Sequence, residues 1–169
     1  MRPFVRRCLA IGFALAIIGG GILPAAAQPL HHDIVLTLDP AGAIKVHDRI
    51  RVSGRSDVLL RLAPWLRMTD IRLDDQPAPA RQADGRIMLA LPNAGPHQID
   101  VLAEGAIPGE RAAGGRADGA STPLTSRDGI YLPGWVNWFP QADDVNITFS
   151  LTIETPPDVR AAATGKFES

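Results

Sequence analysis

Along most of this chain apolar and polar residues alternate with a period of two. Ile34, Leu36 and Leu38 alternate with Val35 and Thr37, and Ile44, Val46, Ile50 and Val52 with Lys45, His47, Arg49 and Arg51. Successive strand side chains point to opposite faces, so this pattern predicts two strands, the second with one apolar and one basic face. One-sided patterning of this kind belongs to antiparallel sheets with a wet side. Between the two runs, Asp39-Pro40-Ala41-Gly42 has turn chemistry: Asp bonds back to the backbone, Pro presets φ and Gly takes positive φ. Asp48 interrupts the inward set of the second strand, which predicts a bulge or a strand end there.

Further strands follow at regular spacing. One covers residues 58–62 and another residues 66–73, where Leu66 and Met68 are out of phase with Ile71 and Leu73. That phase shift predicts a bulge near Thr69 and Asp70. Asp74-Asp75-Gln76-Pro77 reads as the next turn. Ile87, Leu89 and Leu91 form a strand entered from Asp84-Gly85, and Ile99 and Val101 one entered from Gly95-Pro96. The last strand sets Ile147, Phe149, Leu151 and Ile153 against Thr148, Ser150, Thr152 and Glu154. No segment carries a helical stripe. Short strands with turn chemistry between them predict an all-β fold, an antiparallel β-sandwich. Residues from about 105 to 129 break the pattern. They are rich in Gly, Ala and Arg, with Pro108 and Pro123, and predict one long Gly/Ala-rich surface loop.

The amino terminus stands outside this scheme. Arg2, Arg6 and Arg7 precede an apolar run, residues 8–23, and Ala25-Ala26-Ala27 supplies a small-residue cleavage site. Residues 1–27 therefore read as a secretory signal peptide rather than an uncleaved anchor, because the run is short for a membrane span. The expected mature chain starts at Gln28, and residues 28–169 form one domain in the periplasm or outside the cell. The chain's one cysteine, Cys8, leaves with the leader, so neither disulfides nor thiol chemistry are expected in the mature domain. Losing three arginines takes the formal charge from −1 to about −4. Mild acidity argues against nucleic acid or an anionic membrane surface as partner, and membrane contact is expected only through the leader.

Candidate chemistry is sparse. His31 and His32 are adjacent, so on a strand they point to opposite faces and cannot chelate together; both are expected to be solvated. His47 falls on the basic face of its strand and His97 in a turn, neither with a spaced partner. Asp143 and Asp144 read as a solvated turn, since adjacent carboxylates without further oxygen ligands make neither a calcium site nor an acid–base pair. Asn146-Ile147-Thr148 matches the glycosylation pattern but falls inside a strand. No G-x-S-x-G elbow and no H-E-x-x-H occurs. The residues themselves define no catalytic site, and no cofactor or metal site is expected in this chain. The feature that stands out is aromatic. Four of the seven aromatics beyond the leader, Tyr131, Trp135, Trp138 and Phe139, lie within nine residues between glycines and prolines. They either cap one end of the core or form a loop-borne interaction surface.

The carboxyl-terminal third, "FPQADDVNITFSLTIETPPDVRAAATGK", resembles a segment of the gluzincin, aminopeptidase N type, zinc metallopeptidases. The matching parts are Phe139-Pro140, Asp143-Asp144, the strand from Ile147 to Glu154, Thr155-Pro156-Pro157, and the small residues from Ala161 to Gly165. "IVLTLDPAGAIKVHDRIRV" is similar to the opening hairpin of that family's amino-terminal domain, and "LRMTDIRLDDQPA" to a later strand and turn. The resemblance spans about residues 33 to 166 and rests on the order of the parts. It implies a saddle-like amino-terminal β-sandwich, with the family's zinc in a catalytic domain whose H-E-x-x-H and G-x-M-E-N motifs lie outside this sequence. It also places a Gln-x-Glu motif before F-P, where this chain reads "YLPGWVNW", like the subgroup with a W-Y-P-like segment there. The expectation is a non-catalytic exported domain that docks a catalytic or membrane protein, as a truncated product or one part of a split system. The rivals are the amino-terminal fragment of an intact zinc aminopeptidase, and a periplasmic carbohydrate-binding or adhesion module. The resemblance further implies that the aromatic segment faces the catalytic domain, so Tyr131, Trp135 and Trp138, with Phe139 beside them, become a docking surface.

Overall fold

The computed structural model describes residues 29–39, 41–108, 124–126, 129–143 and 146–166. The expected leader, residues 1–27, and Asp144 lie outside the described residues. The architecture is all-β. Eleven strands are described: β1 (Leu30–Leu38), β2 (Ala43–Val52), β3 (Asp57–Arg61), β4 (Leu66–Leu73), β5 (Gln76–Pro77), β6 (Arg81–Ala83), β7 (Arg86–Ala90), β8 (His97–Ala106), β9 (Leu124–Ser126), β10 (Gly129–Tyr131) and β11 (Ile147–Glu154). One 3-10 turn, Gly134–Val136, precedes the last strand.

Six strands make the larger sheet, in the order β11-β1-β2-β8-β4-β5; β3-β7-β6 form a second sheet and β9-β10 a ribbon. The inner face of the larger sheet is the apolar half of each alternation. Leu30, Ile34 and Leu36 on β1, Ile44, Val46 and Ile50 on β2, and Ile99 and Val101 on β8 are buried. Val58 and Leu60 of β3 and Ile87 and Leu89 of β7 close the core from the second sheet. The other face of the larger sheet carries the polar half, including Lys45, Arg49, Arg51 and Glu104.

The turns form where their chemistry placed them. The Asp39 carboxylate accepts from the Ala41 and Ala43 amides at 2.8 Å each, and Gly42 has φ +84°. Asp74 and Asp75, at φ +49° and +65°, close the β4–β5 hairpin, and Asp84-Gly85, at +50° and +70°, close β6–β7. Two successive positive φ angles match the strand twist, as two-residue hairpin turns require. The expected bulge is present, as a register shift between Met68 and Asp70 where β4 pairs β8.

Three expectations need correction. First, β2 runs through Asp48 without a bulge, in register with β1 and β8, and Asp48 faces inward. Second, the sandwich is not wholly antiparallel, because β11 pairs β1 in parallel, from Leu30↔Ile147 to Thr37↔Glu154. Third, strands occupy both ends of the expected loop, residues 105–129, of which 109–123 and 127–128 lie outside the described residues. Strand β8 continues to Ala106, and Leu124–Ser126 pairs with Gly129–Tyr131. Gly105 belongs to β8 because the Trp65 carbonyl crosses over it; a Cβ there would lie 2.2 Å from that oxygen. Composition marked that glycine as loop, whereas close backbone approach is the reason it is there. Phe149 lies on the inner face of β11 with Ile147, Leu151 and Ile153, as the alternation predicts, and is 47% exposed at the edge of the six-stranded sheet.

Candidate functional site

The aromatic segment divides in two. Tyr131 and Trp135 are 57% and 58% exposed, and their rings meet edge to face at 6.4 Å and 71°. Trp138 and Phe139, three residues further on, are only 7% and 5% exposed and pack edge to face at 4.7 Å. Trp138 and Phe139 therefore belong to the core, which corrects the expectation that all four line one surface.

Local backbone explains the division. Trp135 sits on the 3-10 turn that starts after Pro133, and such a turn throws one side outward. Asn137 ends it in the left-handed region, at φ +55° and ψ +42°. Its amide donates to the Gly134 carbonyl at 3.1 Å, and its carbonyl accepts from the Ala63 amide at 2.8 Å. Beyond it, the Arg61 and Gln141 backbones exchange hydrogen bonds of 2.7 and 2.9 Å. The Gln141 side chain donates back to the Gly134 carbonyl at 2.7 Å, and the Arg61 guanidinium donates to Asp143. The segment is thus fastened to β3 at both backbone and side-chain level. Val136 at the end of the turn and Trp138 and Phe139 beyond Asn137 are buried.

Phe139 meets a second feature, a polar pair inside the core. Its ring stands edge to face against His32, centroids 5.5 Å apart at 79°. His32 Nδ1 and Asp48 Oδ2 share a hydrogen bond of 2.8 Å, and both side chains are fully buried. His32 is therefore not solvated, which corrects that expectation. Residues 31 and 32 do point to opposite faces, but the face that receives His32 is the inner one. Burial pushes the Asp48 carboxyl above its ordinary value, with the bond from His32 and that residue's charge opposing. Among the described residues His32 Nε2 and Asp48 Oδ1 have no hydrogen-bond partner. A buried polar pair left partly unsatisfied is costly, yet removing one member costs more.

The other three histidines lie along the outer side of the larger sheet or its end, each beside an aspartate. His31 Nε2 approaches Asp33 at 3.2 Å and its Nδ1 approaches Thr148 Oγ1 at 2.8 Å. His47 reaches Asp100 at 3.2 Å, and His97 reaches Asp74 at 2.7 Å. Burial alone would raise Asp33, but the bond from His31 and the charge of Arg51 outweigh it and hold the carboxyl below its usual value. Asp100 is likewise held low against burial, by bonds from Gln98, His47 and Arg49. Asp74 is lowered first by the Gln98 amide and then by His97. The pairs of His47 and His97 were not evident in sequence, because their partners come from other strands or turns. Among the described residues no three His, Cys, Asp or Glu side chains gather as metal ligands. Asp143 is engaged by Arg61 rather than by a metal-type cluster.

No protein-family model matches the sequence, and no curated protein matches it. Solved structures do resemble the fold. An M1 zinc metallopeptidase from Deinococcus radiodurans, bound to a Tyr-Ser-Ala substrate, superposes with a TM-score of 0.62 at 19% identity. The match covers 88% of this chain and 38% of that one. The same metallopeptidase in a second structure gives a TM-score of 0.61 at 22% identity over the same shares. Legionella pneumophila aminopeptidase A, in complex with aspartic acid, gives 0.56 at 13% identity, covering 75% of this chain and 16% of that one. At these identities the likeness is one of fold. This chain spans well under half the length of the metallopeptidases it matches.

Proposed function

We propose that this chain is a non-catalytic, exported β-sandwich that docks a protein partner, a peptidase-like catalytic domain or a membrane protein, through Tyr131 and Trp135. The observation that carries this reading is the side-by-side exposure of these two large aromatics on a fastened turn. Exposed aromatics on a rigid support carry much of the energy of interfaces, at low ordering cost. The fold likeness to M1 zinc metallopeptidases supports a catalytic domain of that type as the partner. The test measures binding of the purified chain to an M1-type catalytic domain from the same cells, with and without Tyr131→Ala and Trp135→Ala together. Affinity should fall at least about tenfold while thermal stability changes by less than about 0.5 kcal/mol. Unchanged affinity, or unfolding of the double variant, would refute the docking role. The amino-terminal residue of the same exported material bears on secretion: Gln28 supports leader cleavage, and Met1 refutes it.

The coverage of 38% favours a second reading, in which these residues are the amino-terminal part of a longer zinc metallopeptidase. Tyr131 and Trp135 would then touch the chain's own catalytic domain. A reading frame continuing past codon 169 into H-E-x-x-H decides for this reading, and an in-frame stop decides against it. The carbohydrate-binding reading draws less support from the site. With ring planes at 71°, the pair offers no flat platform, and a sugar face would meet only one ring.

A further inference from the structure

The six-stranded and three-stranded sheets end in four edges, and three are blunted. Strand β5 is two residues long and contains Pro77, β6 is three residues long, and β3 is occupied at Arg61 by the Gln141 backbone. Short edges, prolines and covering segments are the usual protection against unwanted strand pairing. Strand β11 has none of them. It runs for eight residues, ITFSLTIE, in unbroken register with β1, without proline, bulge or basic residue. Its one charge, Glu154, lies at its end, where Thr37 Oγ1 donates to it at 2.9 Å.

The backbone of β11 faces two ways. The Leu30 amide donates to the Asn146 carbonyl at 3.2 Å, so Asn146 is turned toward β1. With the two-residue period, the peptide groups of Thr148, Ser150 and Thr152 also face β1. Those of Ile147, Phe149, Leu151 and Ile153 point away from the sheet, and no described strand pairs with them. The same four residues share the inner face, where Phe149 is 47% exposed and the other three are half-buried.

We propose that β11 is a homodimerisation edge, and that its occupant is β11 of a second copy in antiparallel register. The strand is self-complementary. A two-fold axis at Ser150 sets Phe149 opposite Leu151 of the second copy and Ile147 opposite Ile153. All four of these residues carry outward peptide groups, so each opposed pair exchanges two hydrogen bonds. The same register keeps every apolar side chain on one face and sets Thr148 opposite Thr152. Glu154 falls opposite Asn146, so no like charges meet. The two six-stranded sheets become one continuous sheet, and Phe149 is covered. This inference is independent of the docking role of Tyr131 and Trp135, which lie on a different segment.

Sedimentation of the purified chain at concentrations up to about 100 μM tests it. The wild type should show a concentration-dependent dimer. Phe149→Lys should weaken that dimer at least about tenfold, because it sets a charge on the paired face. Trp135→Ala should leave the dimer unchanged. A wild type that stays monomeric overturns the proposal, as does a dimer that survives Phe149→Lys or is lost with Trp135→Ala. Should Phe149→Lys fail to fold, amide exchange of the wild type decides. Slower exchange at Phe149 and Leu151 with rising concentration supports the edge, and concentration-independent exchange overturns it.

Discussion

Tyr131 and Trp135 on one side of Asn137, and Trp138 and Phe139 on the other, are the same kind of residue within one short segment. The first pair stands in solvent and the second is buried against the core. Composition cannot separate them, since both pairs lie among glycines and prolines. What separates them is backbone direction. The 3-10 turn that carries Trp135 ends at a left-handed Asn137, and the Arg61–Gln141 bridge fastens the chain just beyond Phe139. Dense aromatics in a sequence thus need not make one patch, and the same stretch here serves packing with one half and exposure with the other.

The largest effect should come from breaking the buried half. Phe139 fills the space beside His32, and Trp138 packs on Phe139. Truncating either to alanine opens a cavity that the fastened segment cannot collapse into, at a cost of about 3–5 kcal/mol. Chemical denaturation of Phe139→Ala and Trp138→Ala should show that loss, with the slope against denaturant unchanged. A loss below about 1 kcal/mol would mean that the two rings are not core.

A smaller effect, distinguished by its pH dependence, is expected at the polar pair behind Phe139. Burial raises the Asp48 carboxyl above the ordinary 3.8. The folded state therefore holds this proton more tightly than the unfolded chain does. The contribution of Asp48 is most favourable below the ordinary carboxylate range and is lost as pH rises through its raised value. Asp33, Asp74 and Asp100 are lowered, so their contributions run the other way and are lost only as pH falls below that range. Asp48→Asn keeps a hydrogen-bonding group beside His32 Nδ1 and removes the titration. The melting temperature of this variant relative to wild type should therefore rise between about pH 4 and pH 7. A difference that is flat, or that falls with pH, would contradict a carboxyl raised by burial.

Legibility in the sequence followed the range of the interaction. Alternation located β1, β2, β4 and β11, and the phase slip at Met68 located the bulge, because these are local consequences of a two-residue period. The turns at Asp39, Asp74 and Asp84 were legible for the same reason. Strands β5, β6 and β9 were not, being two or three residues long and set by their partners rather than by their own pattern. Asp48 looked like a break in β2 because its compensation, His32, sits sixteen residues away on another strand. One signal was available: a polar residue at an inward position of β1 and another at an inward position of β2 can answer each other across adjacent strands. The four aromatics are close together in the sequence. Their division was not legible, since it turns on one left-handed residue that propensity allows but does not demand.

That residue gives the smallest of the three effects and the sharpest test of the comparison. Asn137 holds φ +55°, where a Cβ is ordinarily crowded by the following carbonyl. Asparagine tolerates the left-handed region better than other side chains, and glycine carries no such crowding at all. If the reversal at Asn137 is what sends Trp138 and Phe139 inward, Asn137→Gly should change stability by less than about 0.5 kcal/mol. Asn137→Ala should cost about 1 kcal/mol, since alanine keeps the Cβ without the compensating polar group. In both variants the Ala63 amide keeps its bond to the residue 137 carbonyl, because that acceptor is main chain. Tryptophan fluorescence then reads the consequence. Trp138 should stay shielded from a soluble quencher in the glycine variant and become more accessible in the alanine variant, while Trp135 stays accessible in both. Equal stability and equal quenching for the two substitutions would show that the left-handed turn is incidental and that packing alone divides the aromatics.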